Sequence, residues 1–324
     1  MPTLEPFTLH RATSAAHAAA LLARLPGARI VAGGTDLVPN LRRGIGAPAA
    51  LVDVSSIADF DAIGRDGEGW RIGAGTTLAA LATDETIARE LPALAQAAAS
   101  VAGPGHRTVA TLGGNLCLDT RCVFYNQSEW WRRSNDYCLK LGGPTCHVAP
   151  RGSHCHAAFS GDAAPALIAV EAEVDIVGVQ GARCVPLADL YLDDGARALA
   201  LAPDELIVAV RIPPQPAGAR SGYRKARVRG AMDFPLAGVA IRASFAAGAL
   251  ASLRVALTGT NSRPLLLADT QALCGAPVGD TLLAALGKRI GKQVSPMRTA
   301  VTASNYRRQA ATVLAQRLLR ELAG

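Results

Sequence analysis

Aromatic residues and long apolar runs are both scarce in this chain. Only 4% of its 324 residues are Phe, Trp or Tyr, and no stretch reaches the roughly 18 uninterrupted apolar residues that a transmembrane helix needs. The N-terminal segment also lacks the basic stretch, apolar run and small-residue cleavage site of a secretory signal. We therefore expect a cytoplasmic protein without a membrane partner, built from at least two packed units because of its length.

Two common binding motifs are missing as well. The sequence contains no G-x-G-x-x-G pattern, which argues against a Rossmann dinucleotide site. It contains no C-x-x-C pair either, so the usual zinc-finger spacing and the compact bacterial ferredoxin spacing are both excluded.

Acidic residues are few in the last third of the chain. Residues 213–324 carry 16 Lys/Arg against 4 Asp/Glu, whereas residues 1–212 carry 17 against 22. A basic segment of this kind suits nucleic acid, an acidic partner subunit or a phosphorylated ligand. Because no nucleic-acid recognition motif accompanies it, we expect no nucleic-acid partner.

Short apolar runs alternate with helical patterns before residue 212, which favours an α/β or α+β chain. Pro213, Pro214 and Pro216 indicate a linker, so we place a domain boundary between 1–212 and 213–324. Beyond the linker, "YRKARVR", "LAGVAIRASF" and "SLRVALTGT" predict three strands of an antiparallel sheet. "LLLADTQALC", "TLLAALGKRIG" and "MRTAVTASNYRRQAATVLAQRLLREL" predict helices, which together give an α+β domain.

Two glycine loops have the composition of an anion site. Gly33 and Gly34 follow a predicted strand and precede a predicted helix, and Gly113 and Gly114 lie in the second loop, "ATLGGNL". Glycine allows the backbone to approach a phosphate and to adopt a positive φ, while exposed N–H groups attract the anion. Two such loops can hold a diphosphate from opposite sides. Taken alone, each pair is also explained by a strand-ending structural turn.

Four of the seven cysteines, Cys122, Cys138, Cys146 and Cys155, lie in one stretch, with 15, 7 and 8 residues between them. In a reducing cytosol clustered cysteines are more often metal ligands than disulfides. The spacing leaves zinc, an iron–sulfur cluster and inert buried thiols open. Separately, we expect the remaining cysteines to be small packing residues: Cys117, Cys184 and Cys274.

The cysteine-rich stretch also contains five aromatic residues and has neither helical nor strand periodicity. They are Phe124, Tyr125, Trp130, Trp131 and Tyr137. We expect a loop without a conventional core, in which metal coordination supplies folding free energy and the aromatic side chains exclude water. Ordinary packing of the aromatic residues against the main domain is compatible with this.

Six segments together resemble, in order and spacing, the FAD-binding medium subunit of the xanthine dehydrogenase family of molybdenum hydroxylases. They are "AGGTDLVPNLRRG", "IGAGTTL", "ATLGGN", "GDAAPALIAVEAEVDIVG", "ELIVAVRIP" and "YRKARVRGAMDFPLAGVA". The resemblance implies an α+β fold with a two-part FAD-binding domain, about 1–54 and 55–212, followed by an α+β C-terminal domain with an antiparallel sheet.

The resemblance also implies that residues from about 117 to 158 are an insertion relative to most members of the family. Within it, "LCLDTRCVFYNQSEWWRRSNDYC" is similar to the β subunit of 4-hydroxybenzoyl-CoA reductase, which carries an additional 4Fe-4S cluster. This similarity implies an iron–sulfur loop in which Cys122, Cys138, Cys146 and Cys155 are the cluster ligands, with Cys117 outside the ligand set.

Flavin contacts are implied by the family motifs alone. They are Ile30, Val31, Ala32, Gly33, Gly34, Thr35, Asp36, Leu37, Thr111, Gly113, Gly114, Asn115, Asp162, Ile207 and Lys225. Without the resemblance, Asp162 is equally explained as the N-cap of the following helix, and Lys225 as an exposed strand lysine.

The resemblance implies an electron-relay subunit with no catalytic residue of its own. FAD and the cluster would pass electrons between a ferredoxin-like donor and two partner subunits, one with molybdopterin and one with 2Fe-2S clusters, in a dimer of heterotrimers. The implied reaction is reductive dehydroxylation of 4-hydroxybenzoyl-CoA to benzoyl-CoA. The alternatives are a molybdenum hydroxylase that oxidises an aldehyde or N-heterocycle, and a non-catalytic flavoprotein with a zinc-stapled docking loop.

Overall fold

The strands in the described part of the chain form three sheets. A computed structural model describes residues 4–298 and 302–324. Its sheets contain three, five and four strands. In the described part of the chain, none of the helices combines the length and apolar character that a bilayer crossing requires.

The first sheet is parallel and presents the first glycine loop at the end of a strand. Its elements are β1 (Thr8–Arg11), α1 (Ala15–Arg24), β2 (Arg29–Val31), α2 (Leu37–Arg42) and β3 (Ala50–Asp53). Strand β3 pairs in parallel with both neighbours, and Gly33 and Gly34 follow the carboxyl end of β2. Ligands of open α/β sheets bind at this edge.

The second sheet is antiparallel and joins strands from distant parts of the sequence. Its strands are β4 (Ile63–Asp66), β5 (Gly69–Gly73), β6 (Glu173–Gly178), β7 (Gly181–Pro186) and β8 (Leu206–Ile212). Between β5 and β6 the chain forms α3 (Leu78–Thr83), α4 (Glu85–Glu90), α5 (Pro92–Ser100), α6 (Pro104–Arg107), α7 (Leu112–Leu116), α8 (Glu129–Ser134) and α9 (Ala163–Ala169). The side chains that this sheet and its helices bury form the larger hydrophobic core.

The third sheet is the predicted antiparallel sheet of the C-terminal domain. It contains β9 (Arg220–Ala226), β10 (Ala237–Ala246), β11 (Ala249–Thr258) and β12 (Leu265–Leu266), followed by α10 (Asp280–Gln293) and α11 (Ser304–Ala323). Alternate residues of β10, including Val239 and Ile241, lie in a second core together with buried residues of both helices. The three strands expected beyond the linker are confirmed.

Two helix predictions in this domain are wrong in part. "LLLADTQALC" forms the short strand β12 and a 3-10 turn over Thr270–Leu273, because Asp269 adopts a left-handed φ of +59° that a helix cannot contain. The last helix begins at Ser304 rather than at Met297. Residues 299–301 of that prediction lie outside the described residues.

Candidate flavin site and cysteine pocket

The two glycine loops meet in the structure. A Cβ atom built on Gly33 would lie 1.8 Å from the carbonyl oxygen of Val109, the residue directly before the second loop. Only glycine therefore fits where the two loops come together. Gly34 has a φ of +68°, the left-handed region that glycine adopts without strain. The sequence motifs therefore describe one joint site rather than two separate turns.

The first loop carries amide N–H groups that are free to bind an anion. Among the described residues, none accepts a hydrogen bond from the N–H groups of Gly33, Gly34, Thr35 or Asp36. We call residues 33–36 the glycine turn. Unpaired amides of this kind attract a negatively charged ligand, because a backbone donor without a partner is costly once it is covered.

Donors of the second loop are largely used within the protein. The N–H of Leu112 donates to Thr76 O at 2.8 Å and that of Gly113 to Ala74 O at 2.8 Å. Gly114 N–H donates to the Thr111 hydroxyl at 3.1 Å, which caps the short helix α7. This loop therefore shapes one side of the site, whereas the glycine turn offers the free amides.

Residues around the glycine turn are accessible. Ile30, on β2, is 37% exposed, and the seven residues from Val31 to Leu37 are half-buried. The Asp36 carboxylate accepts from the Asn40 amide at 2.8 Å and lies 3.7 Å from the Arg121 guanidinium.

Asp162 and Lys225 form a buried ion pair between helix α9 and strand β9. Lys225 Nζ donates to Asp162 Oδ2 at 2.9 Å, both side chains are at most 4% exposed, and the Tyr223 hydroxyl donates to Asp162 Oδ1 at 2.5 Å. Burial raises the pKa of Asp162, and the hydrogen bonds from Lys225 and Tyr223 oppose that shift. The side chain of Asp162 does not cap α9, and Lys225 is not exposed, so neither alternative explanation describes these residues.

Asn115 and Ile207 have structural partners near the second loop. Asn115 Oδ1 accepts from Ala163 N–H at 2.9 Å and thereby supplies the α9 cap that Asp162 does not. Ile207 is 5% exposed in β8 and belongs to the larger core. Its neighbour Val208 accepts from Ala74 N–H, and Ala74 accepts from Gly113 N–H, which fixes β8 against the loop.

The insertion is a closed loop whose ends pair with each other. Arg121 and Ala158 exchange two backbone hydrogen bonds of 2.9 Å. Between them, all four predicted ligand cysteines are buried and line one pocket that opens in part to solvent. We call this the cysteine pocket; Cys117 is not among its lining residues.

The thiols share this pocket without forming a compact ligand set. Within 4–298 and 302–324, no group of three or more His, Cys, Asp or Glu side chains is close enough to hold a metal ion. Burial raises the pKa of Cys155 to about 11 and that of Cys122 above its usual value, although backbone N–H groups oppose the shift in both. The iron–sulfur cluster therefore stays a prediction.

The other cysteines differ from one another. Burial raises the pKa of Cys117 to about 12, as expected for a packed thiol. Cys274 packs against the second core, but Cys184 is exposed on β7, so its assignment as a buried packing residue is wrong. The edge position of β7 in its sheet leaves the Cys184 side chain toward solvent.

The insertion has more order than its sequence predicts. It contains α8, capped by the Ser128 hydroxyl, and a small core in which Tyr125 packs with Cys122, Cys155 and Met297. Trp130 is 75% exposed and does not cover the pocket, whereas Phe124 lines it. The expectation of a loop held only by metal is therefore too simple.

Three basic residues that the motifs did not single out hold the insertion in place. Lys140 Nζ donates to Asp119 at 2.7 Å and to Gly195 O at 2.7 Å beside the cysteine pocket. Arg132 donates to Gly44 O at 2.7 Å and so ties the insertion to the loop after α2. Arg121 reaches the glycine turn. The sequence could have identified these residues by their position among the cysteines. A basic residue beside clustered thiols stabilises the negative charge of thiolates.

Most of the chain matches known protein families. Residues 5–215 match the model of the FAD binding domain in molybdopterin dehydrogenase, and residues 221–322 match the CO dehydrogenase flavoprotein C-terminal domain. The aldehyde oxidoreductase FAD-binding subunit PaoB of Escherichia coli K12 is 35% identical over 87% of this chain and 91% of that protein. The xanthine dehydrogenase FAD-binding subunit of Escherichia coli O157:H7 is 28% identical over 96% and 94%.

A solved structure agrees with both matches. Reconstituted CO dehydrogenase from Oligotropha carboxidovorans contains a chain that superimposes with a TM-score of 0.82 and 25% identity, covering 100% of this chain and 99% of that one. The two family matches together cover nearly the whole sequence, and the fold and the paired glycine loops are consistent with them. The chain therefore belongs to the family of FAD-binding subunits of molybdopterin dehydrogenases.

Proposed function

We propose that this chain is the electron-transfer subunit of a molybdenum hydroxylase that oxidises an aldehyde or an N-heterocycle, and that it carries FAD and a 4Fe-4S cluster. The observation that carries the flavin assignment is the joint site of the glycine loops. The amides of residues 33–36 have no acceptor among the described residues and are available to an anion, and the close approach of Gly33 to Val109 excludes any larger side chain.

The chain's own residues supply binding and position rather than bond chemistry. When bound, FAD accepts two electrons and releases them singly, whereas a 4Fe-4S cluster carries one at a time. The glycine turn would hold the diphosphate, and the second loop would limit the space on its other side. The buried pair of Asp162 and Lys225 would fix the junction of α9 and β9 beside this region.

The cysteine pocket fits the ligand chemistry of an iron–sulfur centre. Four buried thiols line one pocket together with Phe124 and Tyr125, and thiolates are the usual ligands of such clusters. Because cysteine binds iron as the thiolate, loading the cluster would release protons from thiols whose pKa burial has raised. Cys122, Cys138, Cys146 and Cys155 would each supply one ligand.

The substrate class follows the alternative interpretation of the sequence. The relatives named above are subunits of an aldehyde oxidoreductase and a xanthine dehydrogenase, and xanthine is an N-heterocycle. The other reaction that the resemblance implies is dehydroxylation of 4-hydroxybenzoyl-CoA. It is supported only by the similarity of the segment "LCLDTRCVFYNQSEWWRRSNDYC". Electrons would then leave the substrate in a partner subunit and reach FAD here.

Partner subunits with molybdopterin and 2Fe-2S clusters complete the proposal. The relatives' names describe FAD-binding subunits, which implies further chains in each complex. A ferredoxin-like protein is the proposed one-electron partner, and a dimer of heterotrimers the proposed stoichiometry.

Anaerobic purification of the complex tests these assignments together. We expect about one FAD, and iron with acid-labile sulfide beyond what the 2Fe-2S partner accounts for. Oxidation of a panel of aldehydes and purines supports the proposed substrate class, whereas turnover of 4-hydroxybenzoyl-CoA alone contradicts it. Zinc in place of iron in this chain would establish the docking-loop alternative.

A further inference from the structure

Arg121 contacts both predicted cofactor regions. Its Nη2 atom lies 3.7 Å from the Asp36 carboxylate in the glycine turn. The centre of its guanidinium is 5.3 Å from the centre of the Tyr125 ring, which lines the cysteine pocket. The next residue in the chain is Cys122.

The guanidinium of Arg121 has an unmet donor. The side chain is 9% exposed, and within the described part of the chain its buried Nη2 has no hydrogen-bond partner, because 3.7 Å is too long for one. Nη1 donates to Asn126 at 3.3 Å. The same carboxylate oxygen of Asp36 already accepts from Asn40. A buried cation with an unsatisfied N–H is costly, so an additional acceptor would stabilise it.

The neighbouring groups indicate which acceptor fits. The free amides of the glycine turn include that of Asp36, the residue that Arg121 approaches. Backbone N–H groups beside a guanidinium recognise phosphate oxygens, to which arginine donates charge-assisted hydrogen bonds. Arg29 adds positive potential nearby, since its charge acts on both Tyr125 and Cys117.

We propose that Arg121 donates to a phosphate oxygen of the bound dinucleotide and couples occupancy of the flavin site to the cysteine pocket. The inference rests on the proposed function, because it requires FAD at the glycine turn. An anion that draws the guanidinium also fixes the backbone of Arg121, which closes the insertion through Ala158 and leads directly into Cys122. Coupling between sites is reciprocal, so an assembled pocket favours FAD as much as FAD favours the pocket.

Replacement of Arg121 by glutamine tests the phosphate contact. FAD affinity of the purified full chain is measured by fluorescence titration for the wild type, Arg121→Gln and the control Arg133→Gln, whose side chain in the same insertion is 73% exposed. We expect FAD to bind about tenfold more weakly to Arg121→Gln and with unchanged affinity to Arg133→Gln. Riboflavin, which lacks phosphate, should bind wild type and Arg121→Gln equally.

The outcomes separate this inference from the proposed function. If the wild type binds no FAD, the flavin assignment itself fails. If the wild type binds FAD and Arg121→Gln binds it equally well, or if riboflavin affinity falls by the same factor, the role of Arg121 alone is overturned. Should Arg121→Gln melt at a lower temperature, Arg121→Lys decides, because retained charge should restore most of the FAD affinity.

Coupling has its own measurement. The dissociation constant of FAD is compared between iron-loaded and iron-free protein, in the wild type and in Arg121→Gln. We expect tighter FAD binding in the loaded wild type and a smaller difference in the variant. An equal difference in both proteins would overturn the coupling.

Discussion

Gly34 is the residue at which backbone conformation and ligand access coincide. Its φ of +68° is strained for any L side chain, and a Cβ there would lie 3.2 Å from Val38. We expect Gly34→Val to cost about 1–2 kcal/mol of stability and to lower FAD occupancy, because the side chain obstructs the diphosphate at the turn. Flavin absorbance per folded chain measures the effect.

Gly27 provides the matched control for this substitution. It also has a positive φ, +77°, but a Cβ there meets nothing within 4 Å. Gly27→Val should therefore carry similar backbone strain and keep its flavin. Equal flavin loss in both variants would show that strain, not access to the turn, is responsible.

Asp162 and Lys225 lie 63 positions apart, and both are almost fully buried. Asp162→Asn leaves Lys225 as an uncompensated buried cation, so we expect a loss of about 3 kcal/mol in the free energy of unfolding, measured by urea titration. Replacing both charges, as Asp162→Leu with Lys225→Met, should recover much of this stability. An unfolding free energy unchanged in Asp162→Asn would contradict the importance of the pair.

The insertion is the element in which sequence and structure give different kinds of information. Cysteine spacing identified the four thiols that line one pocket, but it could not place Arg132 against Gly44 or Lys140 against Gly195. Those contacts depend on segments 88 and 55 residues away, and no local pattern encodes them.

Regular elements were predictable where their pattern is local. Strand β10 buries a nearly continuous apolar run and was predicted together with its neighbours β9 and β11. The helix predicted after β11 is interrupted at Asp269. The apolar sequence around Asp269 gives no indication of its left-handed backbone. Family motifs predicted the flavin contacts, but the free amides of the glycine turn emerge only when both loops are seen together.

Cysteine replacement in the insertion tests its metal assignment. Cys138→Ser should remove most iron and sulfide, because Cys138 lines the pocket, and Cys117→Ser should remove little. FAD should largely remain in Cys138→Ser, since the glycine loops belong to the surrounding framework. Iron, sulfide and flavin are quantified in both variants. Equal cluster loss in the two would contradict the ligand assignment.

Some of the basic residues in the C-terminal third form ion pairs within the molecule. The basic C-terminal third pairs with acids of the preceding region: Lys225 with Asp162, and both Arg242 and Arg254 with Glu171. Part of the positive excess seen in the sequence therefore joins the two halves of the chain. Arg307 is used differently, because it is buried and donates to three backbone carbonyls, and burial lowers its pKa to about 10.

Activity should belong to the assembled complex and not to this chain. The described residues of both predicted cofactor regions provide hydrogen-bond donors, glycines and thiols, and we assign none of them to acid, base or nucleophilic catalysis. The isolated chain, loaded with FAD, should accept electrons from a chemical reductant yet oxidise no aldehyde. Adding the molybdenum and 2Fe-2S subunits should then restore aldehyde-dependent flavin reduction, followed at the flavin absorbance under anaerobic conditions. A complex assembled with Gly34→Val supplies the control, because substrate should still reduce its partner clusters while flavin reduction falls with flavin content. Turnover of aldehyde by the isolated chain would refute the relay role, since it would require a reacting centre within this subunit.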